Sequence, residues 1–276
     1  MLTSLQNPLV KQLRKLHRAK ERQRQQRFLI EGTHLLEEAC AVRWPIDVLC
    51  ATPDWIDSHT DLWHRAAQQA HRVELVSQEV IGAIATTITP DGVIATGQRY
   101  PSAPVPDQGL PLAPSQPHPP RLDLALEALQ DPGNLGTIIR TAAAVGVDQV
   151  WLSSDSVDYD HPKVLRASAG QWFRVPLLAS SHLGQDIEAL RRQGTQIIAA
   201  LPQATQSYWE VDLTVPTLLL VGNEGAGLSP ELAALADRQV TIPLATGVES
   251  LNAAIATALI LYEAVRQRRF LSNLSN

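Results

Sequence analysis

In the second half of the chain, apolar residues come in short continuous runs, each followed by a polar or glycine-rich break and then by helical spacing. Leu122 to Leu129, the runs near Val147, Arg174 and Thr195, Pro216 to Val221 and Gln239 to Pro243 read as strands. Unbroken runs of this kind suit strands buried on both faces, and their alternation with helices predicts an α/β domain with a mostly parallel sheet. The helices include Leu135 to Val145 with Gly146 as its stop, one opened by Ser229 and Pro230, and a long apolar helix from about Leu251 to Arg266. The first half is less regular. Residues 3 to 26 have helical spacing with Leu9, Leu13 and Leu16 on one side, and Leu35 to Val42, Asp61 to Ala70 and Ser77 to Ala85 read as further helices. Asp47 to Ala51, Arg72 to Val76 and Gly92 to Thr96 read as strands, predicting a smaller α/β or α+β domain.

Between the halves, Tyr100 to Arg121 carries prolines at 101, 104, 106, 111, 114, 117, 119 and 120. Such a stretch cannot donate a regular backbone ladder and reads as a semi-rigid exposed linker. The expected organisation is a basic N-terminal helix over 1–27, a small domain over 28–99, the linker over 100–121 and the larger α/β domain over 122–276.

Charge changes this picture in one place. The net charge is -5, which by itself disfavours a polyanionic partner. Residues 1 to 27, however, hold Lys11, Arg14, Lys15, Arg18, Lys20, Arg22, Arg24 and Arg27 against Glu21 alone. A local basic segment is the electrostatic footprint of a nucleic-acid-binding surface, although a solvated basic helix with no partner has the same composition. Cys40 and Cys50, the only cysteines, sit in no CxxC and beside no histidine cluster, so neither a metal site nor a disulfide framework is expected. The lack of a signal-peptide pattern and of a membrane-length apolar run leads to the expectation of a cytoplasmic protein.

Three segments carry candidate chemistry, each where a strand gives way to a loop or helix, the usual ligand-binding end of an open α/β sheet. The first is Asp131-Pro-Gly-Asn-Leu-Gly136, with Asn134 in the turn and Arg140 one helical turn further on. The second, Leu220-Val-Gly-Asn-Glu-Gly-Ala-Gly227, places Glu224 in a glycine turn, where a carboxylate is costly unless something polar meets it. The dinucleotide and P-loop glycine fingerprints are both missing from it. The third is Ile242-Pro243 followed by Glu249-Ser-Leu-Asn252; Glu249 or Ser250 suits the cap of the final helix, whereas Asn252 is a poor residue for a first helical turn.

In order, spacing and most motif residues, Leu122 to Gln267 resembles the three signature motifs of the SpoU class of the SPOUT superfamily, RNA ribose 2′-O-methyltransferases that use S-adenosylmethionine. Thr3 to Lys11 and Phe28-Leu-Ile-Glu-Gly32 resemble the ribosomal-protein-like substrate-binding domain that commonly precedes it. One departure is Ala253-Ala-Ile255, where the family commonly has Val-Ser-Val and this chain lacks the serine at Ala254. The resemblance implies a trefoil-knotted α/β domain, a homodimer, an RNA substrate, ribosomal RNA or tRNA, and S-adenosylmethionine as cofactor. It implies a cofactor site at Leu220, Val221, Gly222, Gly227, Ile242, Pro243, Leu251 and Asn252, with Gly222, Ile242 and Leu251 offering main-chain contacts. It also implies a catalytic set of Arg140, Asn134, Glu224, Ser250 and Asn252, with no metal. A guanidinium stays protonated, so Arg140 is read as binding the phosphate beside the target ribose and stabilising the oxyanion, and Glu224 as the candidate proton acceptor. Lys11, Arg14, Lys15, Arg18, Arg22, Arg140 and Arg166 are the expected RNA-contacting residues. A non-catalytic RNA-binding protein on the same fold is the alternative, and a nucleotide-dependent oxidoreductase a more distant one, disfavoured by the missing glycine fingerprint.

Overall fold

The computed structural model describes the backbone of residues 1–99 and 120–274 and side chains through residue 269, so nearly all of the proline-rich linker lies outside the described residues. The chain forms two compact units, Met1–Ala103 with Asp158–Arg174, and Pro104–Val157 with Val175–Asn276.

The first unit begins with two helices, α1 (Pro8–Lys15) and α2 (Ala19–Gln25), where helical spacing suggests one over 3 to 26. Asn7 caps α1 by accepting from the Leu9 amide at 2.9 Å, with Pro8 in the first turn. Arg22 holds the break between the helices: its Nη1 donates to the carbonyls of Leu16 at 3.0 Å and His17 at 3.1 Å, which close the end of α1. There follow β1 (Arg27–Glu31), α3 (Thr33–Ala41), β2 (Ile46–Ala51), α4 (Pro53–Ser58), α5 (Thr60–Gln69), β3 (Ala70–Leu75), α6 (Gln78–Ile84) and β4 (Val93–Gln98). Of these, β1 and α4 carry no clear pattern in the sequence.

The sheet order is β1-β4-β2-β3, with β4 antiparallel to both neighbours and β2 parallel to β3. Strand alternation sends successive residues of β1 to opposite faces. Leu29 joins Leu9 and Leu13 of α1, Leu16 just past its end, and Val80, Ile81 and Ile84 of α6 in one core. Burying each such side chain contributes about 1.5–3 kcal/mol before conformational entropy is charged against it. Phe28 turns to the other face, its ring 4.7 Å from that of Trp172.

The second unit opens with β5 (Leu122–Leu126), α7 (Pro132–Val145) and β6 (Gln149–Ser153). The chain then contributes Asp158–Arg174, with α8 (Pro162–Ala167), to the first unit, although strand and helix alternation places this stretch in the second domain. Trp172 fills the aromatic core there, and Gly170 lies where a Cβ would approach Glu38 Cγ to 2.4 Å, so only glycine fits. Returning to the second unit, the chain forms β7 (Leu177–Ser180), α9 (Leu183–Arg192), β8 (Gln196–Ala200), β9 (Gln206–Ser207), β10 (Thr217–Val221), α10 (Pro230–Ala233), β11 (Arg238–Thr241) and α11 (Ala253–Leu274). All seven strands are parallel, in the order β7-β6-β5-β10-β8-β11-β9. Strand β10 is fully buried at the centre, as its unbroken apolar run predicts. It is paired with β5, so the carboxyl ends of these two strands lie side by side.

Candidate active site

The first and second candidate segments meet beyond those paired ends. Asp131 caps α7, accepting from the Asn134 amide at 2.9 Å, and Pro132 starts the helix three residues earlier than the apolar spacing indicates. Asn134 therefore sits in the first helical turn and Arg140 two turns in, exposed and without an ion pair among the described residues.

Glycine 222 ends β10 in a turn closed by reciprocal bonds between Asn223 and Gly227, each 2.9 Å. A Cβ on residue 222 would lie 2.1 Å from the Gly227 carbonyl carbon, so the backbone crossing excludes any side chain. Asn223 holds the turn: its Oδ1 accepts from the amides of Gly225 at 2.8 Å and Ala226 at 2.9 Å, and its Nδ2 donates to Ala128 O at 2.7 Å. Sequence reasoning misses this role, for which an asparagine two residues ahead of a glycine is the only signal.

Glu224 finds the polar partners that its position in the turn demands. Its Oε1 accepts from the Asp131 amide at 3.0 Å and from Asn134 Nδ2 at 3.0 Å, and its Oε2 accepts from the Gln130 amide at 3.1 Å. Partial burial pushes the carboxyl up, but these bonds, with Asn134 foremost, outweigh it and hold Glu224 below the usual glutamate range. A carboxylate whose oxygens are both engaged and whose proton affinity is lowered is poorly suited to accept a proton. The Glu224 carboxylate joins the loop after β5 to the loop after β10.

The third segment joins the same chain of bonds. Asn252 Nδ2 donates to Asn134 Oδ1 at 2.9 Å, while Asn252 Oδ1 accepts from the amides of Ala254 at 2.9 Å and Ile255 at 3.3 Å. Asn252 is thus the cap of α11 and lies outside its first turn; neither Glu249 nor Ser250 serves, and Ser250 is exposed. Ala254, at the position of the missing serine, is buried at 2 %. Ile242 and Pro243 lie just past β11, in a loop whose Leu244, Val248 and Leu251 expose apolar side chains. Among the described residues no hydrogen bond engages the main chain of Leu251. Leu220 and Val221 are buried in β10, and Gly227 has a φ of +73° in the turn.

The other basic residues expected to meet RNA belong to the first unit. Lys11, Arg14, Lys15 and Arg18 are exposed. Arg22 is not: 1 % exposed, it donates to Asp160 at 2.7 Å and Asp158 at 2.8 Å, so no phosphate can reach it and its assignment to the RNA surface is corrected. Arg166 donates to Thr86 Oγ1 at 2.6 Å and stands 3.6 Å from Glu31. Glu31 accepts from the amides of Thr86 and Thr87, each at 2.9 Å, and from both threonine hydroxyls. Among the described residues there is no group of three or more histidine, cysteine, aspartate or glutamate side chains able to hold a metal, and no helix long and apolar enough to cross a membrane.

The chain thus combines a parallel α/β unit, whose three motif segments are joined by hydrogen bonds past its strand ends, with a small mixed-sheet unit. The chain belongs to the SpoU rRNA methylase family, whose model matches residues 121–262. The MRM3-like substrate binding domain matches residues 7–95. An uncharacterized tRNA/rRNA methyltransferase of Synechocystis is 48% identical over 270 residues, covering 97% of this chain and 94% of that protein. A 23S rRNA (guanosine(2553)-2′-O)-methyltransferase of Bacillus subtilis is 33% identical, covering 95% and 97%. The crystal structure of an AdoMet-bound rRNA methyltransferase from Sinorhizobium meliloti superposes with a TM-score of 0.82 at 32% identity, covering 96% of this chain and 97% of that one.

Proposed function

We propose that this protein transfers a methyl group from S-adenosylmethionine to a ribose 2′-hydroxyl of a structured RNA, ribosomal RNA first and tRNA next. The observation that carries this reading is the run of hydrogen bonds from Glu224 through Asn134 to Asn252, which draws all three motif segments together at the carboxyl ends of β5 and β10. Sequence relatives named as 2′-O-methyltransferases of ribosomal RNA support the reaction.

The site suits the cofactor. Its turn at Gly222 has no room for a side chain, its loop presents the unengaged main chain of Leu251, and exposed Leu244, Val248 and Leu251 offer apolar surface for an adenine face. Leu220, Val221, Gly222, Gly227, Ile242, Pro243, Leu251 and Asn252 would hold it. When bound, S-adenosylmethionine supplies an electrophilic sulfonium methyl. The chain's own residues supply position and charge. Arg140, exposed and without an ion pair among the described residues, binds the phosphate beside the target ribose and stabilises the oxyanion as the hydroxyl proton leaves to water. Asn134 and Asn252 orient the polar side of the site, Glu224 fixes Asn134, and Ser250 is exposed beside Asn252.

Lys11, Arg14, Lys15, Arg18 and Arg166 add phosphate contacts from the first unit, the RNA-binding domain of this reading. Support for a homodimer comes from α11, where Ile255, Leu259 and Tyr262 expose an apolar stripe at helical spacing, 50, 40 and 55 % accessible. The match to the SpoU family supports a trefoil knot in the second unit. Calorimetry with S-adenosylmethionine, followed by incorporation of radiolabelled methyl into ribosomal RNA and mapping of the methylated ribose, tests the proposal. Saturable cofactor uptake and one modified 2′-oxygen are expected; absence of both overturns it.

A further inference from the structure

The loop of residues 85–92, between α6 and β4, holds Ile88 wholly in solvent, 100% accessible and the most exposed large apolar side chain among the described residues. A lone exposed aliphatic residue is ordinary on a protein surface. Ile88 differs in how firmly its loop is held and in what surrounds it. On one side, buried Glu31 accepts from the amides of Thr86 and Thr87, each at 2.9 Å, and from both threonine hydroxyls. On the other, Asp91 Oδ2 accepts from the Thr33 amide and the Gly92 carbonyl from the Thr52 amide, both at 2.9 Å. Pinned at both ends, the loop keeps its apolar tip in water instead of folding it back onto the protein. Glu31 thus serves stability, and the tip beyond its latch is left for another task.

The surroundings are basic. His17 Nε2 lies 2.6 Å from the Ile84 carbonyl, which brings exposed Lys15 and Arg18 to the end of α6 from which the loop leaves. At the loop's base, Arg166 Nη1 donates to Thr86 Oγ1 at 2.6 Å, with its side chain 35% exposed. The loop's one carboxylate, Asp91, is turned to the Thr33 amide.

We propose that this loop is a wedge that inserts Ile88 between two stacked bases of the RNA, while Lys15, Arg18 and Arg166 engage phosphates beside the opened step. The proposal rests on the RNA-modifying reading above and states what the first unit does to that RNA. Apolar wedges, isoleucine among them, part base steps in nucleic acids, and burying the side chain between the bases offsets part of the lost stacking. A β-branched side chain suits this task because its χ1 is stiff. Unstacked bases are also what a protein reads when it recognises an RNA sequence. A second copy of the chain fits the tip less well, since a two-fold contact there would set the same cations against one another.

Protein-free ribosomal RNA bound by the full-length chain, mapped by 2′-hydroxyl acylation and titrated across a salt series, tests the wedge. The unaltered chain should raise acylation at one step of the RNA. Ile88→Thr should lose that signal and weaken RNA binding about tenfold, whereas Ile88→Leu keeps both. Because Ile88 carries no charge, its replacement should leave the log–log salt slope unchanged, whereas Arg166→Ala should lower the slope by about 0.7–0.9. Melting temperature and S-adenosylmethionine affinity should not move, the side chain being fully exposed. RNA binding by Ile88→Thr as tight as that of the unaltered chain, or an acylation signal that survives it, overturns the wedge. So does a change in self-association of Ile88→Thr by light scattering without RNA, which would assign the tip to a second copy. A chain that opens RNA through Ile88 but transfers no methyl group keeps the wedge and sinks the methyltransferase reading; methyl transfer with a KM for RNA untouched by Ile88→Thr does the reverse.

Discussion

Each unit is held by a glutamate followed by glycine, and the two do the same work in opposite surroundings. Glu31 is buried at the end of β1 and takes the consecutive amides and both hydroxyls of Thr86 and Thr87. Glu224 is exposed in the turn after β10 and takes the consecutive amides of Gln130 and Asp131 and the side chain of Asn134. In both, burial raises the carboxyl and hydrogen bonds overcome it, leaving each below the usual glutamate range. The difference lies in what the latched loop carries. Behind Glu31 is a loop that closes a hydrophobic core; behind Glu224 is the polar chain to Asn252 and the helix bearing Arg140. The same chemical device is expected to serve stability in one unit and activity in the other.

The largest effect that can break this comparison is expected at the exposed site. Arg140→Ala should lower methyl transfer by about 10²–10³-fold, the usual loss when one transition-state charge partner is removed, without changing the melting temperature or cofactor affinity. If Arg140→Lys keeps full activity, geometry-specific phosphate recognition by the guanidinium is wrong. Next, Glu31→Gln should destabilise the chain by about 2–3 kcal/mol in urea unfolding, because it removes a charged acceptor of several buried bonds. Glu224→Gln should cost under about 1 kcal/mol, being solvent-screened, yet lower methyl transfer roughly tenfold or more by loosening Asn134. Equal stability losses in the two variants would erase the distinction.

Acid titration sharpens the contrast further. Glu31 and Glu224 have folded values below their unfolded ones, so their contribution is present above the unfolded value and is lost as pH falls through the folded value. Asp123, buried in β5 with Arg121 Nε 2.5 Å away, behaves in the opposite sense: burial pushes it up to about 6. Its contribution is present below the unfolded value of about 4 and lost as pH rises through about 6. Thermal melts between pH 4 and 7 should show this decline in the unaltered chain and a shallower one in Asp123→Asn.

The smallest effect concerns the N-terminal arm. Lys11→Glu with Lys15→Glu should weaken RNA binding and flatten its log–log salt dependence by about 0.7–0.9 for each phosphate that is no longer neutralised, with the melting temperature unchanged. Deleting the arm is a different experiment: it removes Leu9, Leu13, Leu16 and Arg22 from the first unit's interior and should unfold that unit.

Much of the second unit is legible in the sequence. Unbroken apolar runs mark its main strands, and a glutamate in a glycine turn announces that a polar partner must exist. Segments 131–136, 222–227 and 249–252 read as one site because each follows a strand end, a property of local pattern alone. The residue types at Gly222 and Asp131 also follow from local demands, a turn without room for Cβ and a helix cap. Tertiary structure decided the rest. No local signal distinguishes Arg22, which is buried against Asp158 and Asp160, from its exposed neighbours, since its partners lie more than 130 residues away. Spacing likewise does not show that Asp158–Arg174 belongs with the first unit, because Trp172 packs against Phe28 and Trp44, which are far away in sequence. Asn252 looks misplaced in a helix and proves to be its cap, with one amide atom ordering the helix and the other reaching Asn134. Sequence set which groups needed partners, through desolvation and backbone geometry; only the folded chain, by bringing distant segments within hydrogen-bond reach, decided which partners they found.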